Sequence, residues 1–513
     1  MRPTDVVDRA ARAHPDHVAL VCGTERVTYE QLHARSCRIA QALHAHGFPP
    51  GTHGGVLAPN DITGFVCALG LMRAGVTWVP LNPYDAVPQI GLLLERFDVD
   101  VLFLHPDYRE HIGELRAAAP GLREVIVYDT DLDDWLGDAP AQDVTGVGDP
   151  DAIAAIYPTS GTTGLPRGVM HDNRRFAFFV EALADEAADS GGEQDVFLAA
   201  APLTHVSGRM ALAAMYRGGT VVILHRPGLD TLLDALERHR VHSTMLPPTV
   251  LYAIVDVPGI ERRRFPDLRQ ISYGAAPIRV EKLKQALALF GPVLRQGYGQ
   301  TEAPMLITAL TADEHLVDGR PAPDERLSSV GRPTKVSTVA ILDDLGGELP
   351  PGDIGEICVR GDFVMVGYYQ DPEGTAEAFR DGWHHTGDVG YFDDGGYLHL
   401  VDRKKDLIIS GGFNVYPAEV ERVIAEAPGV ADVAVIGVPD ARWGEAVTAV
   451  VVARAGETVD EQQVIAHTKK TLGSVKAPKR VEVWPWLPRN ATGKVLKRSI
   501  RERYAQPGES PTD

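Results

Sequence analysis

Apolar positions along this chain recur with two periods that alternate. Between Thr28 and Ala45, residues Leu32, Cys37, Ile39, Ala40 and Leu43 fall on one face of a 3.6-residue repeat, which predicts an amphipathic helix. Short apolar runs punctuated by glycine and proline follow. Gly54–Ala58 and Gly75–Val79 read as buried strands, with a helix over Ile62–Met72 between them. Ala152–Tyr157 reads as a strand, and a helical run begins near Asn173. Further on, Val221–Leu224, Ser243–Leu246 and Leu268–Tyr273 read as strands, and Thr231–Arg240 and Val280–Leu289 as helices. That alternation predicts α/β layers with ligands at the strand C-termini.

From Val330 to His399 the pattern shifts to short strands with Gly/Asp turns, a small β-rich subdomain. Past Asp402 a small α+β unit is predicted: a helix over Ala418–Ala427, strands over Val430–Val438 and Val447–Val452, a helix over Glu461–Leu472 and a last strand over Arg480–Val483. We place the boundary at 402/403, giving an N-terminal domain 1–402 and a mobile C-terminal domain 403–513. No Gly/Ser-rich linker marks it, so domain motion must act at a few hinge bonds. The tail Gln506–Asp513 is expected to be disordered.

Composition narrows the class. At 513 residues the chain has room for two to four domains. A net charge of −20 argues against non-specific binding to nucleic acid or to an anionic membrane. Cys22, Cys37, Cys67 and Cys358 are scattered, with no CxxC spacing, and read as buried thiols of a reducing compartment. The stretch Gly64–Met72 is too short to span a bilayer, and the first residues lack an apolar targeting segment. A cytoplasmic enzyme is expected.

Four segments carry candidate chemistry. Thr159-Ser160-Gly161-Thr162-Thr163-Gly164-Leu165-Pro166-Arg167-Gly168 lies between the strand and the helical run from Asn173. Glycines let the backbone approach an anion, hydroxyls donate to its oxygens and Arg167 offsets its charge, which makes a strand–loop–helix phosphate cradle. It is not a Walker A loop, because no Gly-Lys-Ser/Thr follows. Gly297-Tyr298-Gly299-Gln300-Thr301-Glu302 is a tight turn ending in a hydroxyl and a carboxylate. Trp383-His384-His385-Thr386-Gly387-Asp388 sets an acid after a glycine turn. Pro488-Arg489-Asn490-Ala491-Thr492-Gly493-Lys494 puts one lysine at the tip of a small-residue loop. With Tyr273-Gly274-Ala275-Ala276-Pro277 and the run Asp402-Arg403-Lys404-Lys405-Asp406 through Ser410-Gly411-Gly412, these segments resemble, in order, the adenylate-forming (AMP-binding) superfamily. That superfamily holds acyl-CoA synthetases, luciferases and peptide-synthetase adenylation domains. The resemblance runs from about Val27 to Tyr504.

The resemblance implies two half-reactions. A carboxylate attacks the α-phosphate of ATP, giving an acyl-adenylate and pyrophosphate; a thiol, usually that of coenzyme A, then takes the acyl group and expels AMP. An anion must approach a polyanion, so the tools are a metal, fixed cations and backbone donors. By resemblance Glu302 is the Mg²⁺ ligand, Thr301 donates to the α-phosphate, Thr159, Thr162 and Thr163 face the β- and γ-phosphates, and Ser160, Gly161 and Gly164 belong to the same nucleotide-binding loop. Arg167 stands where the family usually has lysine, and its planar fork is not equivalent to an ammonium. Asp388 and Arg403 are implied ribose contacts; Tyr298 and Gly299 flank the adenine, which lies against Gly274, Ala275 and Ala276. Lys494 would bridge the attacking carboxylate and the α-phosphate, whereas Lys497 and Arg498 read as a solvated helix face. Lys405 matches the family's hinge, and Ser410, Gly411 and Gly412 would present backbone to the pantetheine arm of CoA.

His205, Val206, Ser207, Tyr273, Gly274 and Met305 are the implied acyl-pocket residues, with His205 beside the reacting group. A histidine is as often structural, so His205 is open between the two roles. Amino-acid-activating relatives carry an aspartate in the region of 202–208; this chain has none there, so the acid is not expected to be an amino acid. The leading expectation is an acyl-CoA synthetase for a hydrophobic acid that is fatty, aryl or bulky and polycyclic. A stand-alone acyl-AMP ligase loading an acyl carrier protein is the alternative. The short span between Asp388 and Arg403, with no insertion, favours CoA. A non-catalytic nucleotide-binding protein is the third reading; such a chain should have lost Lys494 or Glu302. The implied partners are the acid, ATP and CoA, and a homodimer is left open.

Overall fold

Thr28 starts the first long helix for a local reason. Its hydroxyl accepts from the Gln31 amide while the Gln31 side chain accepts from the Thr28 amide, a reciprocal cap. The helix, Tyr29–Ala45, lies against Ile62–Ala74. The approach is close: a Cβ at Gly70 would collide with Ile39. From the second helix Arg73, 0 % exposed, meets Asp8 at 2.6 Å, Asp143 at 3.1 Å and the Ser36 hydroxyl at 3.2 Å. A buried guanidinium persists only when its donors are met. The computed structural model describes residues 2–159, 166–186, 195–489 and 495–505.

The chain divides into two compact units, 1–339 with 359–384 and 340–358 with 385–513. The first is built on two large sheets. One has nine strands; its centre runs Leu294–Gln300, Gln270–Gly274, Ser243–Met245, Val196–Ala199 and Thr220–Ile223, all parallel, with antiparallel strands toward both edges. The other has seven; His53–Leu57, Thr77–Pro80, Val99–Leu104, Glu124–Val127 and Ile153–Thr159 are parallel, and Arg167–Asp172 and Gly367–Tyr368 close one side antiparallel. This is the α/β layering that the alternating periodicity predicts. The helix Pro417–Ala425, the strands Val430–Asp440, Gly444–Ala453 and Arg480–Val483, and the helix Glu461–Lys476 give the second unit its α+β character.

Two local expectations are corrected. The phosphate loop was expected between a strand and a helix. Instead Ile153–Thr159 pairs antiparallel with Arg167–Asp172, Thr159 opposite Arg167, and the helix Asn173–Glu186 starts only after that second strand. The loop therefore joins two strands rather than opening onto a helix N-terminus. Lys497 was expected on a solvated face. It is largely buried and pairs with Glu421 at 2.7 Å, because the helix Lys497–Ala505 packs on Val430–Asp440. Among the described residues no helix is long and apolar enough to cross a membrane. The tail 506–513 lies outside the described residues.

The cluster around Asp8 gives a pH signature. Asp8 also bonds His33 at 2.9 Å, and that bond raises the His33 pKa from 6.5 to about 9. A raised histidine pKa adds stability that is complete below 6.5 and is lost as pH rises through about 9. The melting temperature should therefore fall from pH 6.5 to 9, and the fall should be shallower in His33→Gln, as thermal melts across that range would record.

Candidate active site

At the C-terminal end of the nine-stranded sheet, Leu294–Gln300 turns into Ala303–Leu310, and the turn carries Thr301 and Glu302. Close backbone packing fixes it. A Cβ at Gly299 would collide with the Met305 amide nitrogen, and one at Gly274 with the Gly297 carbonyl oxygen. Met305 has φ +48 and Ala275 φ +66, left-handed conformations that cost non-glycine residues energy. Gly274 ends its buried strand, while Ala275 and Ala276 are exposed at the rim. Tyr298 is buried beneath it.

Two side chains and a backbone amide hold the same turn. His171 Nε2 donates to the Thr301 carbonyl at 2.9 Å. Burial, aided by the Arg209 charge, drives the His171 pKa well down, so the ring is a neutral donor. The Met365 amide donates to the Glu302 carbonyl at 2.7 Å, and the Tyr368 hydroxyl donates to the Glu302 carboxylate at 2.9 Å. Arg167 sits beside this cluster, 3.3 Å from Asp371 and 4.9 Å above the Tyr368 ring. Thr159 donates to the Arg167 carbonyl at 3.3 Å. Thr159, Arg167, Thr301 and Glu302 thus belong to one neighbourhood, while Ser160, Gly161, Thr162, Thr163 and Gly164 lie outside the described residues. So does Lys494.

His205 precedes the helix Val206–Tyr216 and bonds the Thr204 hydroxyl at 3.1 Å; burial lowers its pKa, leaving a neutral ring. Ser207 is buried in the first turn and its hydroxyl has no partner among the described residues. Met305 lines a narrow recess between this helix and the sheet, with Met210, Phe197 and Ser272. Tyr273 does not line it. Successive strand residues face opposite ways, so Ser272 meets the recess while Tyr273, 1 % exposed, enters the opposite core and donates to His315 Nε2 at 2.8 Å. Of the expected acyl-pocket residues, Met305 lines this recess, and His205, Val206, Ser207, Tyr273 and Gly274 do not.

In the second unit Asp388 and Arg403 face each other across paired strands, 2.6 Å apart. Asp388 lies within the strand Trp383–Phe392 and not on a turn; Gly387, at φ +68, bends the strand beside it. Beneath lies Glu356, which burial would push up but which His385 and Lys404, each 3.1 Å away, hold below its usual pKa. Lys405 is exposed in one 3-10 turn, Lys404–Asp406. Gly411 and Gly412, φ +60 and +81, form a two-residue hairpin turn that demands left-handed residues. The adjoining Ser410 is buried, its hydroxyl unpartnered among the described residues, while Ile409 and Phe413 are 55 % and 61 % exposed.

Sequence reasoning missed Tyr368, His171 and Arg209. Arg209 is buried 3.9 Å above the Tyr157 ring, with Phe176 and Phe179 beside it. Only the adjacent Gly367-Tyr368-Tyr369 run hinted at Tyr368; the other two look like ordinary helix and strand residues.

In a parallel α/β sheet ligands bind at the C-terminal ends of the strands, which is where the Thr301 carbonyl and the Glu302 carboxylate are held. The chain belongs to the AMP-binding enzyme family, which residues 7–369 match, and residues 419–494 match the AMP-binding enzyme C-terminal domain. It is 38 % identical to a feruloyl-CoA synthase of an Amycolatopsis species, over 97 % of this chain and 98 % of that one. It is 34 % identical to the fatty acid–[acyl-carrier-protein] ligase ScoC of Streptomyces coeruleorubidus, over 96 % and 95 %. The ATP-bound crystal structure of MatB from Rhodopseudomonas palustris superposes with a TM-score of 0.87 at 32 % identity, covering 98 % of this chain and 99 % of MatB.

Gly299 tests the close packing of the turn. Gly299→Ala should cost about 1–3 kcal/mol of stability, the scale of overpacking, and weaken nucleotide binding at least ~10-fold. Gly113→Ala, where a Cβ meets nothing within 4 Å, should do neither. Denaturant melts and nucleotide titration would measure both.

Proposed function

We propose that this protein is an ATP-dependent acyl-CoA synthetase that activates an apolar carboxylic acid. The Thr301–Glu302 turn carries the reading: it is pinned from three sides at the end of the sheet, and Met305, three residues on, lines a recess between the helix Val206–Tyr216 and that sheet. The acid's carboxylate oxygen attacks the α-phosphorus of ATP, the P–O bond to the β-phosphate breaks, and pyrophosphate leaves. The CoA sulfur then attacks the acyl carbon, its proton is lost, and AMP departs. Thr301 donates to the α-phosphate, and its backbone is held by His171, so the donor is preorganised. The Glu302 carboxylate suits Mg²⁺, a hard cation that takes one or two carboxylates plus phosphate oxygens. When bound, the ion neutralises phosphate charge.

Asp388 accepts from the ribose hydroxyls and Arg403 accompanies it. Tyr298, Gly274, Ala275 and Ala276 receive the adenine, and the hairpin at Gly411-Gly412 receives pantetheine. Ser160 to Gly164 hold the outer phosphates with Arg167, and Lys494 stabilises the charge moving onto the α-phosphate. The 402/403 boundary and a pivot at Lys405 belong to the same reading. ScoC keeps a carrier-protein acceptor in view; the compact connection between Phe392 and Leu398 favours CoA.

Acid-dependent pyrophosphate release, followed by acid-dependent CoA thioester, is the direct test. Holo-carrier protein as acceptor decides between the thiols, and release without any thioester to CoA would overturn the CoA assignment. Lys494→Ala should lower acyl-AMP formation at least ~10²-fold, the scale of losing one preorganised donor, and should spare thioester formation from supplied acyl-AMP. Equal loss of both halves would refute the lysine's role. Glu302→Gln should need more Mg²⁺ and recover in part when it is supplied. Normal adenylation at low Mg²⁺ would show the carboxylate to be structural.

A further inference from the structure

The recess is not uniformly apolar, and its polarity is placed at one end. Leu183, Phe197, Met210 and Met305 line its flanks. Met210, Ala213 and Ala214 share one face of the helix Val206–Tyr216, and Arg217 follows at its C-terminal end. The sheet residues facing them are Phe197, Ser243, Gln270 and Arg295, from the first halves of parallel strands, and Ser272, at the middle of its strand. Gly274, Ala275, Thr301 and Glu302 lie at the other end of the same strands. An acid whose carboxyl group sits at Thr301 therefore points its tail toward the strand N-termini.

That far end is built of charges. Glu186 and Arg295 form an ion pair with side chains only 19 % and 10 % exposed. Asp195 pairs with Arg217 at 2.9 Å and with Arg269 at 3.5 Å. His242 Nδ1 accepts from the Val196 amide at 3.1 Å, so the neutral ring carries its proton on Nε2. Burial lowers the His242 pKa and raises that of Glu186. A hydrocarbon terminus pressed here would strip water from these groups and return no hydrogen bond, which disfavours it. A hydroxyl or carbonyl oxygen would be met by donors.

We propose that the acid this enzyme activates has an apolar body and a hydrogen-bonding oxygen at the end remote from its carboxyl group, read by Glu186, Arg295 and His242. The inference rests on the acyl-activating reading above. Met210 and Met305, unbranched and flexible, let the flanks adapt to the body, whereas the polar end selects.

The test compares acids matched in skeleton: 4-hydroxycinnamate with cinnamate, 3-(4-hydroxyphenyl)propanoate with 3-phenylpropanoate, and 10-hydroxydecanoate with decanoate. The readout is kcat and KM for pyrophosphate release. At least one pair should favour the oxygenated member by tenfold or more, chiefly in the KM for the acid. The double variant Glu186→Leu/Arg295→Met exchanges the ion pair for apolar volume. It should reduce that preference to near parity and leave the KM for ATP unchanged. Parity or a hydrocarbon preference in every active wild-type pair overturns the inference while leaving the synthetase reading standing, and it needs no variant to fold. A preference that survives in the double variant overturns the residue assignment. Release with none of the six acids, and no acid-dependent thermal shift in the presence of ATP, overturns both readings.

Discussion

An anion must be pushed against a polyanion inside a protein that itself carries a net charge of −20. That constraint explains how the candidate cations are kept. Arg167 rests on Asp371 and Arg403 on Asp388. Each cation is thereby held in a defined place, and the neighbouring carboxylate partly cancels its field. An acidic chain can hold these charges locally without becoming a general polyanion binder. Backbone donors do the rest, and they need close approach, which is why the turn around Thr301 depends on Gly274 and Gly299.

The layered fold was legible because long periodic stretches dominate it. The first helix could be read from Leu32, Ile39 and Leu43, and the parallel strands from runs such as Ser243–Leu246. Two features were not legible. The hairpin strand Arg167–Asp172 is six residues with one strongly apolar position pattern broken by His171 and Asp172, so it reads as the lead-in to the helix at Asn173. Its identity is set by pairing with Ile153–Thr159, an interaction across the loop and not a local propensity. The direction of Tyr273 is the second. Strand alternation fixes only that Ser272 and Tyr273 face apart; which of them meets the recess depends on which layer covers each face.

The site shows the same division. Motifs brought Thr301, Glu302, Asp388 and Arg403 forward, because each lies in a short run whose residue types suit phosphate or ribose. The groups that position the turn come from far along the chain: His171 is 130 residues from Thr301, and Tyr368 is 66 from Glu302. Neither has a local signature, since a buried histidine and a buried tyrosine are common core residues. Chemistry that touches substrate leaves short motifs, while chemistry that positions it is spread over the tertiary structure.

The recess proposed to hold the acyl group carries this contrast into specificity. An apolar wall discriminates weakly, because one methylene more or less changes binding by about 1–3 kcal/mol. A buried charged group discriminates strongly and in one direction, since a ligand that fails to satisfy it leaves the cost of desolvation uncompensated. Flanks made of Met210, Met305 and Leu183 therefore tolerate different bodies. The ion pair of Glu186 and Arg295 does not tolerate a dry terminus. The pair also has a structural task, because either partner alone would be a buried charge without its counterion. Retaining it where an apolar pair would close the cavity as well is understandable if the far end of the substrate meets it, and selection then resides in residues that no nucleotide-binding motif contains.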